Sequence, residues 1–298
     1  MRSSRLLTVL VATTLVTACG ADRADAELPA PAPEVVAFDD GWGQIFVMGV
    51  DGSDLRQVNP PVAKDMSDGN YSTDAAVSPD GSKVAYTRGR SIDVVELESG
   101  ETTTVYEGGY QPVFSPDGSM LAVTDGSNIS VMNADGSDVR VLARDEGGSQ
   151  MTFSPDGSML VYNVSGYLVE TPVAGGASRV VLRDQFWNAD PAYSPDGSTL
   201  VFSSNRGGNN GSEIYAMPAG GGDITPLTDT YSVHPEFSGD GTSIFYTRAT
   251  TETGVPVKDV TGPTRAEVAS MNADGSDEKR VTPPSLIAQN PSVGGGGA

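Results

Sequence analysis

The tetrapeptide Ser-Pro-Asp-Gly recurs at Ser78–Gly81, Ser115–Gly118, Ser154–Gly157 and Ser194–Gly197, and a degenerate fifth copy reads Ser238-Gly239-Asp240-Gly241. Successive copies lie 37, 39, 40 and 44 residues apart. A period near 40 residues belongs to chains built from repeated supersecondary units, and four-stranded propeller blades have this length. The tetrapeptide suits a tight hairpin: proline presets φ at the second position, Asp tolerates the third, and Gly takes the left-handed position.

Each turn lies between short apolar runs, as in Pro112–Phe114 before the third unit's turn and Met120–Thr124 after it. Ile129–Asn133 follows, then Ala134-Asp135-Gly136-Ser137, then Val139–Leu142. Such runs bounded by Asp-Gly turns read as a four-stranded meander, and beyond the first twenty residues no window keeps a helical period. The third strand of the unit appears six times, at Ile45, Ile92, Ile129, Tyr167, Glu213 and Glu267. The first strand precedes only five turns. Asn290-Pro291-Ser292-Val293 repeats the pattern of Asp190-Pro191-Ala192-Tyr193 and His234-Pro235-Glu236-Phe237. The expected fold is therefore an all-β, six-bladed propeller over 35–298. A C-terminal strand completes the first blade and removes its open edge.

A Pro-x-aromatic before Ser-Pro-Asp-Gly, then an apolar strand, then Ile-x-Val-Met-Asn-Ala-Asp-Gly, resembles the WD-like repeat of the TolB propeller family. Propellers of prolyl-oligopeptidase-type proteins carry similar repeats. The resemblance spans Val35 to Val293. It implies the fold, while propellers serve as binding modules and enzymes alike.

Residues 1–18 read as a secretory leader, with Arg2 and Arg5 ahead of the apolar Leu6–Leu15, a stretch too short to span a bilayer. Leu15-Val16-Thr17-Ala18-Cys19 resembles the lipobox of bacterial lipoproteins, which implies acylation of Cys19, the chain's single cysteine. Residues 19–34, rich in Ala and Pro, read as an extended tether from that anchor. The expected address is the outer, extracytoplasmic side of the cell membrane, held by this lipid alone.

Losing the leader removes two basic residues and no acid, which takes the net charge from −21 to −23. Such a surface repels phosphate backbones and anionic headgroups, so nucleic acid is an unsuitable partner. The Asp-Gly-Ser-Asp turns at Asp51, Asp135 and Asp274 lack the ligand spacing of calcium loops. His234 is the only histidine, and no Gly-x-Ser-x-Gly elbow is present. No cofactor or metal and no catalytic residues are expected. Propeller lyases acting on pectin fragments use several histidines and a metal, a set this sequence does not supply.

Four residues before each turn stand Asp74, Gln111, Gln150, Asp190, His234 and Asn290, all able to hydrogen-bond. In a propeller this position opens the innermost strand, so the six should ring one mouth of the channel. There they either hydrate the entrance and cap strand ends or bind a small polar ligand or a partner's side chain. Loops expected on that face carry Tyr71, Tyr110, Phe186, Trp187 and Tyr231, and the face includes the Ala249–Arg265 insertion and the Gly207–Gly211 tip. Aromatics on variable loops favour recognition. The reading is a monomeric envelope scaffold that binds a protein or a small polar ligand. The alternatives are a carbohydrate- or peptide-active enzyme using Asp74, Asp190 and His234, and an auxiliary subunit of a sensor or transporter.

Overall fold

The computed structural model describes residues 33–60, 71–144, 147–208, 211–260 and 264–296. The expected leader, Cys19 and most of the expected tether lie outside them. The described residues form twenty-four strands in six four-stranded antiparallel sheets, without a helix. These are the six blades expected from the repeat.

Ring closure is as the C-terminal repeat implied. Gln289–Gly294 is the inner strand of blade 1 and pairs antiparallel with Val35–Asp39, with Val36 opposite Val293 and Ala37 opposite Ser292. The inner strands of blades 2 to 6 are Ser72–Val77, Tyr110–Phe114, Ser149–Phe153, Asn188–Tyr193 and Ser232–Phe237. Outer strands are short and exposed, as with Arg179–Leu182 in blade 4. The one in blade 3 covers Arg140–Ala143 rather than Val139–Leu142, leaving Val139 exposed.

The repeated turn is held by its own side chains. Ser115 Oγ donates to Asp117 Oδ1 at 2.6 Å, which also accepts from Ser119 N at 3.0 Å, while Ser115 Oγ accepts from Met120 N at 2.9 Å. Gly118 closes the turn at φ +70, where a side chain would be strained. The hydroxyl of the turn's first Ser, then the backbone N–H and hydroxyl of the Ser after the Gly, hold the carboxyls of Asp117, Asp156 and Asp196 down at about 2. The degenerate fifth copy has a physical reason. Gly239 supplies the N–H that proline lacks, and it donates to the Glu34 carboxylate ahead of blade 1.

The core is six clusters, one between each pair of neighbouring blades. Blades 2 and 3, for example, bury Ile92 and Val94 against Phe114 and Leu121. Blades 6 and 1 bury Phe245, Val268 and Ala288 against Val36, Phe38 and Met48. Every blade therefore packs against both of its neighbours.

Candidate functional site

Asp74, Gln111, Gln150, Asp190, His234 and Asn290 line one cavity of about 140 Å3 at the mouth of the channel. They do not open their strands, as position alone suggested, but stand second or third in them. All six adopt left-handed backbone, with φ between 50 and 54. Each lies in a one-residue bulge: Thr73 pairs with Thr87 and Ala76 with Ala85, three steps against two, and the same shift recurs in the other five inner strands. A bulge re-aims side chains, and left-handed backbone outside glycine is tolerated best by Asn, Asp and His. Six such residues cost on the order of 1 kcal/mol each, a strain that clusters at binding sites.

The ring is joined across blade junctions. Gln111 N donates to Thr87 Oγ1 at 3.0 Å, and Gln150 N to Gln111 Oε1 at 3.2 Å. Asn290 N donates to Thr247 Oγ1 at 2.9 Å, and within blade 1 its Nδ2 donates to Asp39 Oδ2 at 2.8 Å. Asp190 Oδ2 accepts from the Ser203 hydroxyl and from His234 N at 3.3 Å. His234 Nε2 stands 3.4 Å from Asp190 Oδ1, a close approach without hydrogen-bond geometry. Asp190 Oδ1 and His234 Nδ1 are thus left buried with no hydrogen-bonding partner.

Burial raises the Asp74 carboxyl, against the opposing effects of the Thr73 hydroxyl and His234. Burial likewise pushes Asp39 up to about 6, with Asp74 adding repulsion, against the hydrogen bond from Asn290. Glu236, two residues deeper than His234, lines the same cavity and is pushed by burial to about 7. Sequence reasoning missed Asp39 and Glu236. The signal for Glu236 was available, since the equivalent positions hold Ala76, Val113, Thr152, Ala192 and Ser292.

The aromatic loops divide. Tyr71 and Trp187 are 40% and 55% exposed. Tyr110, Phe186 and Tyr231 are packed, contrary to the expectation that they present recognition surface. The Tyr110 hydroxyl fills the space a side chain at Gly126 would take. The Arg206 guanidinium covers Phe186 at 5.4 Å. The backbone of Tyr231 is fixed between Val257 O and Ala249 N, and its ring packs beside Gly211. A third exposed aromatic, Trp42 at 49%, lies in the loop from Asp40 to Gln44 beside Tyr71. Its place between the second and third strands of blade 1 could have marked it.

Catalytic geometry is sparse. Asp74, Asp190 and His234 share the mouth, and among the described residues no cluster of three or more His, Cys, Asp or Glu is placed to hold a metal ion. The buried ion cluster of Arg248, Glu267, Glu278 and Arg280 lies away from the ring, within blade 6.

No protein-family model matches this sequence, and no curated protein matches it. Solved structures do match in fold. TolB from Acinetobacter baumannii is 17% identical with a TM-score of 0.70, the match covering 88% of this chain and 66% of that one. The chain thus spans about two thirds of that TolB. A chain in a nidogen/laminin complex is 15% identical with a TM-score of 0.68, covering 87% of this chain and 98% of that one. An oligogalacturonate lyase in complex with manganese is 16% identical with a TM-score of 0.55, covering 80% and 70%. At these identities the likeness is one of fold: a six-bladed propeller of the TolB type.

Proposed function

We propose that this chain is a lipid-anchored binding module of the bacterial cell envelope, facing outward from the membrane on a tether that begins at Cys19, and that it takes its partner on the channel-mouth face. One observation carries the reading: Trp42, Tyr71 and Trp187 stand exposed on the face that also holds the strained polar ring. Large exposed aromatics around a polar centre are the composition of a recognition surface. The opposite face is made of Asp-Gly turns whose polar groups are satisfied internally. The fold likeness to TolB and to a propeller in a nidogen/laminin complex supports a protein partner.

Changing Cys19 to Ala should abolish lipid labelling and membrane retention; normal retention of the variant would overturn the anchor. Trp187→Ala with Tyr71→Ala should weaken partner capture at least tenfold from solubilised envelope while the melting temperature holds. Unchanged capture would count against the face.

A second reading is an enzyme that uses the mouth, favoured by the approach of His234 to Asp190 and by the fold likeness to a lyase. Turnover of envelope glycans or peptides that disappears in His234→Gln, at unchanged melting temperature, would establish it instead.

A further inference from the structure

The inner strands run along the channel, so successive residues lie about 3.3 Å deeper. Beneath the polar ring comes a collar of Ala75, Pro112, Met151, Pro191, Pro235 and Pro291, apolar all the way round. Beneath the collar the lining contains Ala76, Val113, Thr152, Glu236 and Ser292. Glu236 is the one charged group at that depth. It makes no hydrogen bond or ion pair among the described residues, and the surface it retains faces the cavity.

The same depth holds two hydroxyls. Thr152 Oγ1 is engaged only in a 3.3 Å bond to Phe153 O, and Ser292 Oγ accepts one bond, from Val77 N at 3.1 Å. Each oxygen keeps a lone pair. The two hydroxyls stand on the inner strands of blades 4 and 1, on opposite sides of the ring, so the Glu236 carboxylate is the acceptor for a donor head below the apolar neck. At the entrance, Asp190 is 8% exposed and its Oδ1 lacks a hydrogen-bonding partner, which provides a second, independent acceptor on the path inward.

We infer that the channel accepts a primary ammonium group on an unbranched apolar stem, with the stem in the proline collar and the ammonium against Glu236. The inference rests on the reading of the mouth as the binding face. Lysine carries its ammonium on a four-carbon stem, a reach that matches a carboxylate about two strand residues, roughly 7 Å, below the ring. A guanidinium brings five donors in a rigid fork, more than one carboxylate can take, and would leave the rest unpaired beside Ala76 and Val113. An isolated carboxylate leaves most of a divalent cation's coordination unfilled. Burying the unpaired carboxylate is unfavourable and pushes it up to about 7, and a cation removes that penalty.

The chemistry has two sources, a lysine side chain on a protein partner or a free aliphatic amine, and one titration series separates them. Calorimetry on the full chain in detergent uses n-butylammonium, cadaverine, N-acetyl-lysine methylamide and the uncharged N-acetyl-norleucine methylamide. The amines should bind at one saturable site, the norleucine compound at least tenfold more weakly. Glu236→Gln should weaken the amines at least tenfold, and Glu236→Asp less. Tighter binding of the lysine compound than of cadaverine indicates a protein-borne lysine; the reverse order indicates a free amine. Equal binding of the lysine and norleucine compounds, or full affinity in Glu236→Gln, overturns the inference. If amines fail to bind while Trp187→Ala still weakens partner capture, the mouth remains the binding face and only the ammonium assignment falls.

Discussion

Asp190 fastens blade 5 to blade 6 through His234: one carboxylate oxygen accepts from the His234 backbone N–H at 3.3 Å, and the other faces its imidazole Nε2 at 3.4 Å. The two residues play unequal parts. Asp190 is nearly buried and also takes the Ser203 hydroxyl, whereas the imidazole is about one-third exposed.

Asp190→Ala should therefore cost about 1–3 kcal/mol in urea unfolding, because Ser203 and His234 N lose their acceptor. His234→Gln should cost less than about 1 kcal/mol, since Gln111 and Gln150 hold the same left-handed backbone at φ 54 and 53. Equal destabilisation by the two changes would show that the imidazole holds the junction as much as the carboxylate does.

The pH dependence of stability follows from the buried acids. Glu236, at about 7, and Asp39, at about 6, bind protons more tightly folded than unfolded. Their burial costs nothing below the ordinary carboxylate range and its full amount above the folded values. Stability should therefore fall as pH rises from about 4.5 to about 7, with Asp74, Asp190 and His234 as the charged groups around the same cavity. Glu236→Gln should raise the melting temperature by several degrees at pH 8, at most about 3 kcal/mol, and leave it unchanged at pH 4.5. Below that, protonating Asp117, Asp156 and Asp196 removes stability as pH falls through about 2. A Glu236→Gln melting curve that matches wild type at pH 8 would show that the carboxyl is not desolvated.

Deleting residues 288–298 should remove cooperative unfolding of the whole ring. It strips the inner strand from blade 1, exposes Val36 and Phe38, and takes away the Ser292 hydroxyl that binds Val77 N in blade 2. A truncated chain with the wild-type melting curve would contradict this closure.

Much of the architecture was legible because a repeat reports each structural position several times. The pattern at Asn290-Pro291-Ser292-Val293 placed the closing strand, and the six ring residues were found by register alone. Their left-handed backbone was hidden: Asp, Asn and His favour it, but Gln111 and Gln150 do not, so composition gave a mixed signal. Tyr231 and Phe186 looked like recognition residues because a loop's sequence does not show what covers it. Here Tyr231 packs beside Gly211, and Arg206 covers Phe186. Glu236 was lost among many surface acids, although its register marked it as the one acid at that depth.

The most direct test of the mouth as the binding face is site-specific photo-crosslinking in intact cells. A crosslinking residue at Trp187, where the inner strand of blade 5 begins, is compared with one at Asp274, in the turn on the opposite face. The account predicts a discrete, saturable adduct from position 187 that Tyr71→Ala diminishes, and none from position 274. The same adduct from both positions, or one from position 274 alone, would contradict it.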